Sequence, residues 1–299
     1  MSILLLSCIV GAFGQGSTVY NNIPNPLPPN VFSLGYQATA TAEWGDNIFL
    51  GGTDRRAGSA TVTMSDWALR SSYPSMPAAG FTHPITFNIY AADHSGSYVK
   101  PGALLGTVTQ SFLIPWRPAE DPVNCPTKSA PAYAYKWQAV PGPVDTNCYN
   151  GYAFTIKFDL RGLALTLPNE VIFGVAYNTN TWGYHPIGAP GPYESLNVGM
   201  ANNGTSGVAP FPGIDIEPDA TIWNTSFAGF YTDGGAGGVG IFRRDTNWTD
   251  AAPAIQLTAY TVAISANACK NNGWQTLSRA DGSAFKNQGD CVSYTQNGK

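Results

Sequence analysis

The sequence predicts an all-β fold, an antiparallel β-sandwich of jelly-roll-like or Ig-like type, with a disulfide-stapled C-terminal appendage. Three observations carry that expectation. In AFTIKFDL (153–160), Phe154, Ile156, Phe158 and Leu160 alternate with Thr155, Lys157 and Asp159, the period of a strand half buried against a core. After the Pro168-Asn169 turn signal, VIFGVAY is apolar on both faces, as a central strand must be. No long window shows helical periodicity, whereas the chain contains 33 Gly and 23 Pro, which punctuate short strands. Leu163, Leu165 and Leu167 extend the alternation, so three consecutive strands are expected here.

The chain begins with an expected signal peptide, residues 1–14. Its apolar run, 3–13, is too short to span a bilayer, and Ala12-Phe13-Gly14 places small residues where a peptidase would cut before Gln15. Leu5-Leu6-Ser7-Cys8 loosely matches a lipobox, which would instead make Cys8 a lipid anchor. The sandwich is expected over 15–266. A proline-rich run near 24–29 cannot occupy a central strand and is expected to wrap an edge. YQATATAEWGDNIFL reads as a strand, a turn at Gly45-Asp46 and another strand. Ala60, Val62 and Met64 alternate with Thr61, Thr63 and Ser65. Residues 66–84 read as a connection with one helical turn. Ile85, Phe87, Ile89 and Ala91 form the next inward face, and Val108, Phe112 and Ile114 another. SLNVGM and AIQLTAYTVAI complete the strands.

Residues 115–150 break this rhythm with frequent prolines and a cysteine near each end. They read as an insertion loop without a core of its own. It is either a stapled excursion or a ligand-facing lid. Residues 267–299 form a small polar tail framed by Cys269 and Cys291. With the signal removed, four cysteines remain, and an even count in an exported chain implies two disulfides. Three connectivities are possible. Proximity favours Cys125–Cys148 and Cys269–Cys291, and closing a loop of that length contributes roughly 3 kcal/mol in the chain-entropy model.

Only 11% of the 299 residues are charged and the net charge is −4, against roughly 25% charged in an ordinary soluble domain. Polarity rests on amides and hydroxyls. The electrostatic footprint of nucleic-acid binding is missing, and no basic amphipathic segment points to a membrane surface. G-x-S-x-G, H-E-x-x-H, P-loop and dinucleotide motifs do not occur. The glycine run 234–240 lacks the lysine and following helix of a phosphate site and reads as a hairpin turn. His83, His94 and His185 show no metal-ligand spacing, and surface positions are expected for all three.

Two constellations remain. Asp215, Glu217 and Asp219 would share one face of an extended segment, a cluster of hard oxygens suited to Ca²⁺. Asp233 and Asp245 lie close enough in sequence to add ligands. The alternatives are a solvated edge strand or a glycosidase carboxylate pair. Trp182, Tyr184 and Tyr193 fall in one Gly/Pro-rich loop, where rings on a rigid path can stack on sugar faces. Trp223, Tyr231 and Trp248 follow later. Core packing is the alternative for all six. Asn203, Asn224 and Asn247 head N-x-S/T sequons.

VYNNIPNPLPPNVFSLGYQATATAEWGDNIFLGG, with SATVTMSDWA, HPITFNIYAAD and LPNEVIFGVAYNTNTWG, resembles a set of uncharacterised exported bacterial β-sandwich proteins. Some of these carry a cell-surface sorting tail. The closing segment CKNNGWQTLSRADGSAFKNQGDCVSY resembles a short Cys-framed module that ends many secreted bacterial proteins. The resemblance implies an extracellular sandwich and assigns no activity. The expectation is a secreted, non-catalytic extracellular module that binds carbohydrate or a surface polymer, with no nucleic acid and no membrane span. A self-assembling structural or adhesive surface protein is the alternative, followed by a polysaccharide hydrolase. No cofactor beyond Ca²⁺ is suggested.

Overall fold

The computed structural model describes residues 16–128, 134–201, 209–231, 241–249 and 251–298. The expected signal peptide, the glycine run 234–240, Asp233 and Asn203 lie outside them. In chain order the strands are β1 (Ser17–Asn21), β2 (Ser33–Gly35), β3 (Thr41–Phe49), β4 (Arg56–Asp66), β5 (Phe81–Asp93) and β6 (Lys100–Ile114). The insertion contributes β7 (Trp137–Gln138) and β8 (Cys148–Tyr149). There follow β9 (Tyr152–Asp159), β10 (Glu170–Ala176), β11 (Leu196–Ala201), β12 (Ile214–Asp215), β13 (Ala220–Thr225) and β14 (Arg243–Thr246). Last come β15 (Ala252–Pro253), β16 (Ile255–Val262), β17 (Leu277–Ser278) and one helix, α1 (Gln288–Asn297).

Two antiparallel sheets form the sandwich. One runs β1-β16-β4-β11-β15, with β9 also on β4 and β2 also on β11. The other runs β14-β13-β3-β10-β5-β6, with β12 also on β3. β10 lies at the centre of the second sheet, with Val171 opposite Ile48 on one side and Ala91 on the other. The apolar run VIFGVA within it has that cause. On β9 the alternation is realised as expected: Phe158 is fully buried, its ring 5.6 Å from Phe87 and 4.9 Å from Phe112. Thr155, Lys157 and Asp159 face solvent.

Local readings fail in four places. Gly45-Asp46 is not a turn, because β3 runs straight through it. A Cβ on Gly45 would lie 1.7 Å from the Phe173 carbonyl, so this glycine allows close strand approach rather than chain reversal. The Leu163–Leu167 stretch is not a third strand. A 3-10 turn covers Arg161–Leu163 and Ala164 is left-handed at φ 51°. The tail contains a ten-residue helix, capped where the Asn287 side chain accepts from the Asp290 amide. Cys291 is its single buried residue, so it carries no apolar stripe for periodicity to detect. His83, expected at the surface, is 2% exposed. It lies between Tyr177 and Tyr193, with ring centroids 5.7 and 5.2 Å away.

Both disulfides are local, Cys125–Cys148 and Cys269–Cys291. The insertion is better anchored than a coreless loop. Buried Arg117 donates to the Asn150 and Tyr135 carbonyls at 2.7 Å each, and Trp137 Nε1 donates to the Gly151 carbonyl at 2.8 Å. The tail extends the first sheet: β17 pairs in parallel with the end of β16. Its own small core joins Ala263, Cys269, Phe285 and Cys291. Among the described residues no helix is long and apolar enough to cross a membrane.

Candidate functional site: an aromatic groove beside the stapled insertion

A cleft of about 970 Å³ opens between the proline-rich segment after β1, the end of β11 and the disulfide-stapled insertion. Its walls include the rings of Phe32, Trp67 and Tyr149, the carboxamides of Asn30 and Asn150, and Lys136. Backbone bonds hold the first wall. Pro29 accepts from the Ala153 amide at 2.9 Å, and Phe32 accepts from the Met200 amide at 2.7 Å. The Phe32 backbone is thereby fixed while its ring remains 89% exposed.

A polar relay orients the floor. Trp67 Nε1 donates to Ser65 Oγ at 3.1 Å, and Ser65 Oγ donates to Asn30 Oδ1 at 2.8 Å. The Asn30 oxygen is thus committed, and its NH₂ is the end that can meet a ligand. Gly151 brings the insertion against this relay. A Cβ there would lie 2.3 Å from Trp67 Nε1 and 2.4 Å from Ser65 Oγ, so a side chain would displace the indole. On the far wall Tyr149 packs its ring 5.8 Å from buried Trp137, next to the Cys125–Cys148 bond. Among the described residues lining the cleft there is no Asp or Glu. Lys136 forms no ion pair with a described residue. The described lining therefore offers stacking faces, amide hydrogen-bonding groups and one cation.

The loop rings flagged by sequence lie elsewhere and do not stack on one another. Trp182 is half-buried, and its carbonyl accepts from the Thr179 amide at 2.8 Å. Tyr193 lays its ring on His83 and donates its hydroxyl to the Ala189 carbonyl. Tyr184 is 49% exposed, yet its hydroxyl reaches down to Glu43, a fully buried carboxylate on the outer face of β3. Asn88 Nδ2 at 2.8 Å and Tyr90 Oη at 3.0 Å complete that carboxylate's shell. Burial pushes the Glu43 carboxyl above its ordinary range, while the Tyr184, Asn88 and Tyr90 hydrogen bonds pull it back down. Trp223 and Tyr231 are buried, and Trp248 packs between Trp44 and Trp223, tilted on Trp44 at 5.3 Å and edge-on to Trp223 at 5.2 Å. These three are core.

The acidic segment also divides. Asp215 turns inward, where its carboxyl acts on that of buried Asp46. Glu217 pairs with Arg244 at 3.0 Å, and the Asp219 carbonyl accepts from the Trp248 amide. Among the described residues no three His, Cys, Asp or Glu side chains converge as a metal shell. Of the sequons, Asn224 is 2% exposed, which leaves no room for a glycan, and Asn247 is exposed.

Sequence reading did not assemble Phe32, Trp67 and Tyr149, which lie far apart along the chain. The available hint was the insertion itself, a long stapled segment with an aromatic beside its cysteine. No family model, curated protein or solved structure matches this chain.

Proposed function

We propose that the chain is a secreted, non-catalytic extracellular module that binds carbohydrate or a surface polymer in the groove beside the insertion. The observation that carries the reading is Phe32. A ring 89% exposed on a backbone held by β11 presents an open face at a fixed point of the wall, so little backbone entropy is lost on binding. Trp67 and Tyr149 add faces, and the Asn30 carboxamide suits a sugar hydroxyl. Two disulfides and the resemblance to exported bacterial proteins agree with an oxidising, extracellular setting. Export itself is part of the proposal.

Pull-down on a panel of insoluble polysaccharides, with a reducing-end assay on the same polymers, tests it. Retention without product is expected. Product release would move the chain to the hydrolases. Assembly is the second reading, favoured by β6, a 15-residue edge strand carrying Leu104 at 52% and Leu113 at 59% exposure. Concentration-dependent oligomers with no polymer retention would put that reading first.

A further inference from the structure

Beneath the segment that links β12 to β13, the core contains a charge arrangement that neither the groove nor the sheet requires. Asp46 projects inward from β3 and is 1% exposed. Its carboxyl interacts with that of Asp215 on β12, a residue that pairs with β3 at Ile48. Asp46 Oδ1 accepts from the Asn47 amide at 2.8 Å and Asp215 Oδ1 from the Glu217 amide at 3.0 Å. The remaining oxygen of each, Oδ2, meets no donor in the protein. From the opposite sheet, fully buried Tyr20 on β1 brings up its hydroxyl, which also lacks a hydrogen-bond partner. Both carboxyls act on it electrostatically.

Among the described residues, the charged groups that act most on the pair are acids. The groups that act on Asp46 are Asp215 and Glu217, and those that act on Asp215 are Glu217 and Asp219, all acids. Arg244, on β14, is engaged by Glu217. A buried carboxylate pair without a cation must either retain a proton or acquire a positive ion. Burial and the neighbouring acids raise both carboxyls, so ionising the two together is disfavoured unless a cation joins them.

We propose that Asp46 Oδ2, Asp215 Oδ2 and Tyr20 Oη form a binding site for a hard divalent cation, which replaces the proton the two carboxyls share. These are hard oxygen donors of the kind Ca²⁺ takes, and water fills the rest of its shell. The site differs from a Glu217-centred cluster, since Glu217 belongs to Arg244. The exchange balances as one cation bound and one proton released, which makes binding weaken on acidification.

The test is Ca²⁺ titration of the full chain in weak buffer, following proton release together with the thermal midpoint at about pH 8 and about pH 5, set either side of the raised Asp215 value, about 7. Expected is a rise in midpoint at the higher pH with up to one proton released per site, and a much smaller rise at the lower pH. Asp46→Asn places an amide donor against Asp215, so this variant should fold and lose the Ca²⁺ response. Tyr20→Phe should keep the response but require more Ca²⁺. No shift and no proton release in the wild type would overturn the proposal. An undiminished response in Asp46→Asn would overturn it too, by placing the ion elsewhere. Polymer binding in the groove is untouched by either result.

Discussion

His83 sits between Tyr177 and Tyr193, with its Nε2 partnerless and one hydrogen bond from its ring to the Asn178 backbone. Burial disfavours the imidazolium and lowers its pKa to about 4. The unfolded chain takes up that proton near its ordinary value, roughly 6.5, and the folded one does not. Stability from this residue is therefore present above that value and lost as pH falls toward about 4. Asp215 works in the opposite sense. Its folded value of about 7 lies above its unfolded value, so its contribution is present in acid and lost as pH rises through about 7. The two windows overlap, and in the wild type they partly cancel. Chemical denaturation across this range, with Ca²⁺ chelated, should separate them. Asp215→Asn should leave a protein that loses stability more steeply on acidification, and His83→Phe one that loses it more steeply toward neutral pH. Identical slopes in all three proteins would mean that neither side chain titrates as its burial implies.

At the scale of single elements, β9 and the tail make opposite demands on their sequences. β9 needs one apolar face, and Phe158 is its centre, fully buried against Phe87 and Phe112. Phe158→Ala should destabilise by about 3–5 kcal/mol as a core truncation. Thr155→Ala, on the exposed face, should cost less than about 1 kcal/mol. Urea unfolding of the two variants measures both, and equal losses would mean that the outer face of β9 is covered as well. The tail has too small an apolar cluster to hold itself, so the Cys269–Cys291 bond serves as its staple. Cys291→Ser should make residues 267–299 sensitive to limited proteolysis while the sandwich midpoint stays in place. A fall in the sandwich midpoint would instead make β17, paired on β16, part of the sandwich's cooperative unit.

Across the whole molecule, strands are legible where a single face faces the core, and become illegible where tertiary neighbours decide. The alternation on β9, the apolar run of β10 and the cysteine spacing each announce their structure locally. Gly45 looks like a turn residue because close approach of two strands leaves the same trace in sequence as a chain reversal. His83 precedes a proline yet is buried, because its neighbours Tyr177, just after β10, and Tyr193, in a 3-10 turn, come from distant parts of the chain. Glu43 gave no sign of its role, since the Tyr184, Asn88 and Tyr90 donors meet only once β3 and β5 flank β10. The groove follows the same rule. Its three rings belong to the proline-rich wrap, the connection after β4 and the insertion, so only the folded chain gathers them.

The proposed function requires that this gathered surface, rather than the 178–193 loop, meets the polymer. Calorimetric titration of soluble polysaccharides into wild type, Phe32→Ala and Trp182→Ala tests it most directly, with thermal midpoints recorded for each. Ring stacking is worth about 1–3 kcal/mol per ring by analogy with base stacking, and each 1.4 kcal/mol is about tenfold in affinity. Phe32→Ala should therefore weaken binding by roughly tenfold or more at an unchanged midpoint, since its ring is exposed. Trp182→Ala should bind as wild type does. Undiminished affinity in Phe32→Ala, with the loss appearing in Trp182→Ala, would contradict the account and return the site to the loop.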